Sequence, residues 1–249
     1  MTTGRQRRRR LSWALSVVGI LLVTVRVATW PVETHHGFNF VVSSYTMPLY
    51  LKAFEFIDRS AHYERLANTV TAGRSSDREI IEAVFEWTVN NIQPTPDNWP
   101  IVDSHILDII IRGHGVSDQR ADVLTTLATY AGVPAFWMIL PEQGERRIVL
   151  SFALVDKRWV VADVANAFLF RTTQGDLATL NELIVQPALV ESFAGGLLLR
   201  GVPYTQVFAG LTMPTPPDTL RAEFQMPLKR LVHEARTVMG LRTDDGSER

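Results

Sequence analysis

Cysteine is absent from the 249 residues of the chain. This absence excludes disulfide bonds, thiolate metal sites and a thiol nucleophile. An excess of positive charge is also absent, since 25 Lys and Arg residues stand against 26 Asp and Glu residues. Because binding to nucleic acid needs a basic surface, we expect no nucleic-acid partner. Internal repeats and low-complexity linkers are lacking too, so the length fits one domain with extensions.

Long apolar runs are scarce, and one of them is long enough to cross a membrane. It covers residues 11–30, where Arg26 is the one charged side chain, and about 20 apolar residues suffice for a helix to span roughly 30 Å of hydrocarbon. A basic segment, residues 1–10, precedes it, and positive residues stay on the cytoplasmic side. We therefore predict a single-pass transmembrane helix at residues 11–30, with the rest of the chain extracytoplasmic. A cleaved signal peptide is the alternative, although no small-x-small cleavage site follows the apolar run.

The remaining sequence predicts an α+β domain at residues 31–213, followed by a C-terminal helix and a polar tail at residues 214–249. Ser76 and Glu79 form a capping box at the start of one helix. The other predicted helices cover residues 48–71, 117–131 and 218–241, the last with a kink at Pro227; the predicted strands cover residues 38–45, 133–140, 148–155 and 158–163. Helices followed by a β-hairpin favour an α+β domain over a doubly wound one.

Three segments in consistent order resemble the transglutaminase-like family, which has a papain-like fold. Residues 113–128 begin Gly-His-Gly-Val-Ser and are similar to the Gly-x-Cys start of the family's central helix. Residues 132–135 read Gly-Val-Pro-Ala and resemble the family's Gly-Ile-Pro-Ala, and residues 156–163 resemble its Asp-Gly-Arg-Trp hairpin with a closing aspartate. The resemblance covers roughly residues 50–170. It implies a core of helices followed by an antiparallel sheet.

The resemblance also places the family's catalytic cysteine, histidine and aspartate on this chain. They fall on Ser117, Ile148 and Asp163, of which Asp163 alone keeps the family's residue. A serine hydroxyl is a poor nucleophile without an adjacent base, and isoleucine cannot act as one. The resemblance therefore implies a degenerate site, a pseudoenzyme, and we predict no cofactor and no metal ion.

Three functions stay open at this point. The one we favour is a non-catalytic binding or scaffolding module of the cell envelope that holds a peptide, a polysaccharide or an envelope protein. The second is an active serine hydrolase or acyltransferase, in which Ser117 uses a rearranged base such as His114 or His233. The third is a purely structural envelope protein.

Several of these residues also have structural interpretations. Ser117 suits the N-cap of its helix, and Asp163 suits a carboxylate that accepts hydrogen bonds from backbone amides in the hairpin. His35 and His36 fit a loop just outside the membrane. A solvated helix face is the interpretation for Asp118, Gln119, Arg120 and Asp122. Cations of the C-terminal segment could meet anionic headgroups, although packing against the domain is the interpretation we prefer; they are Arg221, Lys229, Arg230 and Arg236.

Overall fold

The structure is a computed structural model that describes residues 3–103, 105–141 and 147–238. The helices are α1 (Thr3–Ala28), α2 (Leu49–Val70), α3 (Asp77–Asn91), α4 (Ile106–Arg112), α5 (Ser117–Tyr130), α6 (Leu180–Val185), α7 (Pro187–Ala194), α8 (Tyr204–Ala209) and α9 (Pro227–Val238), with a 3₁₀ helix at Arg221–Gln225. The strands are β1 (Pro31–Phe38), β2 (Val41–Pro48), β3 (Gln93–Pro94), β4 (Val102–Asp103), β5 (His114–Gly115), β6 (Ala135–Pro141), β7 (Arg147–Val155), β8 (Arg158–Asp163), β9 (Phe168–Leu169), β10 (Leu198–Leu199) and β11 (Val202–Pro203). This content confirms the α+β class. The end of the predicted polar tail, residues 239–249, lies outside the described residues.

The main sheet is antiparallel, with strand order β6-β7-β8-β9. Its central hairpin joins β7 to β8 as predicted, and Val155 pairs with Arg158 across a two-residue turn. Both turn residues, Asp156 and Lys157, have positive φ. A two-residue turn with this backbone matches the right-handed twist of the flanking strands.

Helix α5 packs on one face of this sheet and is the central helix of the fold. Leu124, Leu127 and Ala128 join side chains of α2, α3 and the sheet in one apolar cluster. The polar residues of its first turns are buried as well: Gln119, Arg120 and Asp122 are at most 8% exposed. The prediction of a solvated face is therefore wrong, because neighbouring elements cover α5 on that side too and supply hydrogen-bond partners.

A second apolar cluster covers the other face of the sheet. It combines alternate residues of the strands, such as Phe152 and Val161, with side chains from α6, α7 and α8. Since successive side chains of a strand point to opposite faces, a sheet covered on both sides has apolar residues throughout. This explains the nearly continuous apolar sequence of β7.

The N-terminal strands differ from the single extended segment predicted at residues 38–45. Strands β1 and β2 form an antiparallel hairpin, and β4 pairs with the far end of β1. The chain reverses at Asn39 and Phe40, both with positive φ. Aromatic and β-branched residues lie on both sides of this turn, so two strands form instead of one. His35 and His36 lie in β1 rather than in the predicted loop.

Helices α2, α3 and α5 were predicted within one or two residues, whereas α4 was not predicted and the last helix begins later than predicted. Ser76 and Glu79 do form the capping box of α3. The C-terminal segment contains the 3₁₀ helix and then α9, which begins at Pro227. The predicted kink at this residue is wrong, because proline is favoured in a first turn, where its missing N–H costs no hydrogen bond.

Helix α1 contains most of the predicted membrane span. The side chains of Leu11 and Ser12, at the start of that span, lie outside the described residues. In the part of the chain that the structure describes, no helix combines the length and apolar character that a bilayer crossing requires. The span and the extracytoplasmic location stay predictions.

Candidate functional site

The segment that leads into α5 is shaped by its two glycines. Gly113 has φ +70° and ends α4 in the left-handed conformation, which glycine adopts without steric cost. A Cβ on Gly115 would lie 3.1 Å from the Cβ of Gln119, so a side chain here would require a neighbour to shift by a few tenths of an ångström. The glycine motif thus fixes how the chain enters α5.

Ser117 is the first residue of α5 and is half-buried. The N-cap is Val116 instead, so the expectation that Ser117 caps the helix is wrong. The Gln119 side chain takes over part of the capping, since its Oε1 accepts a hydrogen bond of 3.3 Å from the backbone N–H of Val116. Ser117 is left at a helix N-terminus, where backbone N–H groups favour negative charge.

His114 lies three residues before Ser117 but is held by other partners. Its Nδ1 is 3.4 Å from the hydroxyl of Thr95, and its ring lies edge-on to Trp99 at 5.2 Å between centroids. Partial burial and the nearby Arg112 guanidinium both lower the pKa of His114. In the described part of the chain, no hydrogen bond joins His114 to Ser117.

Asp163, at the end of β8, is fully buried. Its Oδ1 accepts a 3.1 Å hydrogen bond from the backbone N–H of Asn166, and its Oδ2 accepts from Asn166 Nδ2 at 2.8 Å and from the Tyr204 hydroxyl. Burial raises the pKa of this carboxyl, although the hydrogen bonds oppose the shift. Both carboxyl oxygens are therefore engaged, and the interpretation of Asp163 as a structural carboxylate fits the geometry.

Ile148, where the resemblance expects a basic histidine, is 5% exposed in β7. It belongs to the apolar cluster with Phe136, Leu150 and Phe152, on the sheet face opposite α5. The structure therefore does not bring Ile148 and Ser117 to the same face of the sheet.

Arg120 of α5 is a buried cation whose charge interacts with that of Asp163. It is 4% exposed, and its guanidinium donates to the carbonyl oxygens of Ile92 at 2.9 Å and Ala165 at 3.1 Å. Burial lowers the pKa of Arg120, and the charge of Asp163 opposes this shift. Arg120 thus joins the end of α3 to the segment after β8.

Asp122 and Gln119 are two further buried polar residues of α5. Asp122 accepts from Trp137 Nε1 at 2.7 Å and pairs with Arg221 at 2.9 Å, and burial raises its pKa. Gln119 Nε2 donates to the Val102 carbonyl at 2.8 Å. Sequence analysis missed these roles, because the hydrogen-bond partners are distant in the sequence.

The other candidates do not complete a catalytic site. His233 lies on α9, with its ring edge-on to Phe224 at 4.8 Å between centroids. Among the residues with described side chains, no group of three or more His, Cys, Asp or Glu residues is placed to hold a metal ion.

The geometry defines an α+β domain whose central helix presents a half-buried serine at its N-terminus and buries a structural polar network behind it. A scan against models of protein families finds no match for the chain. No curated protein matches it either.

Solved structures match parts of the chain. A candidate protease from Parabacteroides distasonis is 14% identical, with a TM-score of 0.35 over 41% of this chain and 23% of its own. A candidate cysteine protease from Cytophaga hutchinsonii is 16% identical, with a TM-score of 0.38 over 44% of this chain and 39% of its own. A TGase is 14% identical, with a TM-score of 0.36 over 53% of this chain and 43% of its own. The chain thus spans less than half the length of each, and likeness at this level carries no inference about activity.

Proposed function

We propose that this chain is a membrane-anchored, extracytoplasmic, transglutaminase-like domain that binds a ligand or partner without catalysing a reaction. The observation that supports this most strongly is that Asp163 and Ile148 are both occupied by contacts within the fold. Both oxygens of the Asp163 carboxyl accept hydrogen bonds from Asn166 and Tyr204, and Ile148 is buried among apolar side chains. Neither residue can take a proton from Ser117, so the hydroxyl has no activating base from the positions that the family uses.

The surface beside Ser117 offers contacts suited to binding. Trp99 is 57% exposed, and its ring meets edge-on the ring of His114, three residues before Ser117 in the chain. An exposed indole binds sugar rings and peptide side chains through its face and edge. A peptide, a polysaccharide or a segment of an envelope protein would suit this surface.

The rival enzyme function requires a reactive Ser117. We expect a fluorophosphonate probe to leave the full-length chain unlabelled, and amidase, peptidase and transglutaminase assays to give the same background for the chain and for Ser117→Ala. Labelling that Ser117→Ala abolishes would overturn the non-catalytic proposal. In the same preparation, glycan and peptide arrays should retain the chain, and Trp99→Ala should reduce that retention at least tenfold, whereas Trp30→Ala should not. Absence of retention for all three proteins would favour a purely structural role, and equal retention of all three would show that binding does not use Trp99.

A further inference from the structure

Helix α9 exposes its apolar side to solvent. Leu228, Leu231 and Val232 recur at the spacing of one helix face. Their exposed fractions are 78%, 65% and 50%. We call these three residues the α9 stripe. Large side chains on one face of a helix are ordinarily the ones that a domain buries, so their exposure needs an explanation.

The domain contacts α9 from its polar side. The Arg230 guanidinium lies over the Phe56 ring of α2 at 5.2 Å from the centroid, and the His233 ring meets Phe224 of the 3₁₀ helix. The packing expected from the sequence is thus present, but it uses cationic and aromatic contacts and leaves the α9 stripe outside. This orientation is the reverse of an ordinary surface helix.

We propose that α9 lies in the surface of an anionic lipid bilayer, with the α9 stripe at the boundary between headgroups and acyl chains. Within α9, Lys229, Arg230 and Arg236 stand against one carboxylate, Glu234; Lys229 also pairs with Glu223 of the 3₁₀ helix at 2.6 Å, and Arg236 carries a further positive charge on the same side of α9. Helices that lie in a membrane interface combine an apolar face with a basic polar face. Long basic side chains can extend from such a helix to the phosphate groups.

A lipid surface fits better than a second copy of the chain. Three side chains bury far less than the about 800 Å² per partner that a stable protein interface needs. A symmetric contact would also bring the cations of two α9 helices together. An anionic bilayer has no size limit and attracts those cations.

This inference does not depend on the predicted N-terminal span. That span would attach the chain to a membrane of any lipid composition, whereas the contact of α9 requires anionic lipid. The two can therefore be separated by experiment.

The absence of cysteine makes a single-site label straightforward. An environment-sensitive fluorophore is attached to Leu231→Cys, on the α9 stripe, and to the matched control Glu234→Cys, on the polar side. The full-length chain is reconstituted with vesicles of phosphatidylcholine alone or with added phosphatidylglycerol. We expect the Leu231 label to shift to the blue and gain intensity at least threefold with phosphatidylglycerol, and the Glu234 label to change little. Replacing Lys229 and Arg236 by glutamine, which leaves the contact of Arg230 with Phe56 intact, should strongly weaken the shift, since each cation near an anionic surface contributes about fivefold to binding.

The other outcomes would contradict either the contact of α9 with lipid or the N-terminal span. A Leu231 label that stays in water on anionic vesicles overturns the inference, even if flotation shows that the chain is membrane-bound. If the Leu231 label becomes shielded from water without lipid, and more so at higher protein concentration, the α9 stripe binds a second copy of the chain and the inference is overturned. Failure of the chain to float with phosphatidylcholine, together with the lipid-dependent shift, would contradict the span and support the contact of α9.

Discussion

At the scale of single residues, the buried acids of this domain accept hydrogen bonds that hold them in structural roles. Asp163 is the most enclosed of them, and burial raises its pKa. A carboxyl whose pKa is higher in the folded than in the unfolded state stabilises the fold most below its unfolded pKa, about 3.9. That stability is lost as the pH rises through the higher folded pKa, because the buried group must then ionise.

We therefore expect Asp163→Asn to weaken the pH dependence of stability. The amide cannot ionise, so the fall in the free energy of unfolding between pH 4 and pH 8 should be smaller than in the unchanged chain. Asp122, whose pKa burial also raises, should keep part of the slope. Urea unfolding at several pH values measures it, and Asp97→Asn, at an exposed position, should keep the full slope. An unchanged slope in Asp163→Asn would mean that Asp163 does not titrate in this range.

At the scale of secondary-structure elements, turn conformation separates what could be predicted from what could not. The β7–β8 hairpin was predicted because Asp156 and Lys157 stand between two clear strand patterns. Asn39 and Phe40 make the same kind of turn, but an aromatic residue at its second position hides the turn within an apolar run. Local sequence thus locates a hairpin only where the turn residues interrupt the strand pattern.

The β7–β8 turn also offers a gain in stability. Lys157 has φ +63°, a conformation that glycine adopts without steric cost and that Asp-Gly turns favour. We expect Lys157→Gly to raise the free energy of unfolding by about 0.5–1 kcal/mol, as measured in urea. Lys157→Ala removes the same side chain but keeps the Cβ, so it should give no gain. A similar gain from both variants would show that the side chain, and not the backbone, carries the strain.

The candidate site was predicted in part. The sequence located Ser117 near the start of α5, because a glycine motif precedes it. It located Asp163 at the end of β8, because that residue closes the predicted hairpin. It did not predict that Arg120 and Asp122 are buried, since their partners include Ile92, Ala165 and Arg221, which are distant in the sequence. Tertiary hydrogen bonds of this kind leave no periodic pattern in a single chain.

At the scale of the whole molecule, the main sheet joins two apolar clusters. One contains α5, and the other contains α6, α7 and α8. Each strand contributes alternate residues to both. A substitution that destabilises one cluster should therefore also destabilise the other, because the two share the backbone of the strands. The sheet should unfold as one unit.

Phe170→Ala tests this coupling. Phe170 is fully buried, and its ring meets that of Phe208 at 5.2 Å between centroids, so its loss should cost about 3–5 kcal/mol. Hydrogen exchange should show a similar loss of protection in α8 and in α5, although α5 lies on the opposite face. Phe54→Ala, at a side chain that is 68% exposed, should change stability by about 0.5 kcal/mol or less. Faster exchange in α8 alone would show two independently unfolding parts.

The burial of α5 on nearly all sides has a consequence for the history of this sequence. A side chain at Gly115 would crowd Gln119 and Ile109, and Arg120 donates hydrogen bonds to carbonyl groups of two other segments. Selection for a folded molecule is then enough to preserve these positions, with or without any reaction at Ser117. The glycine and the arginine at these positions are therefore accounted for by the packing of α5, and their presence is no evidence for a reaction at Ser117.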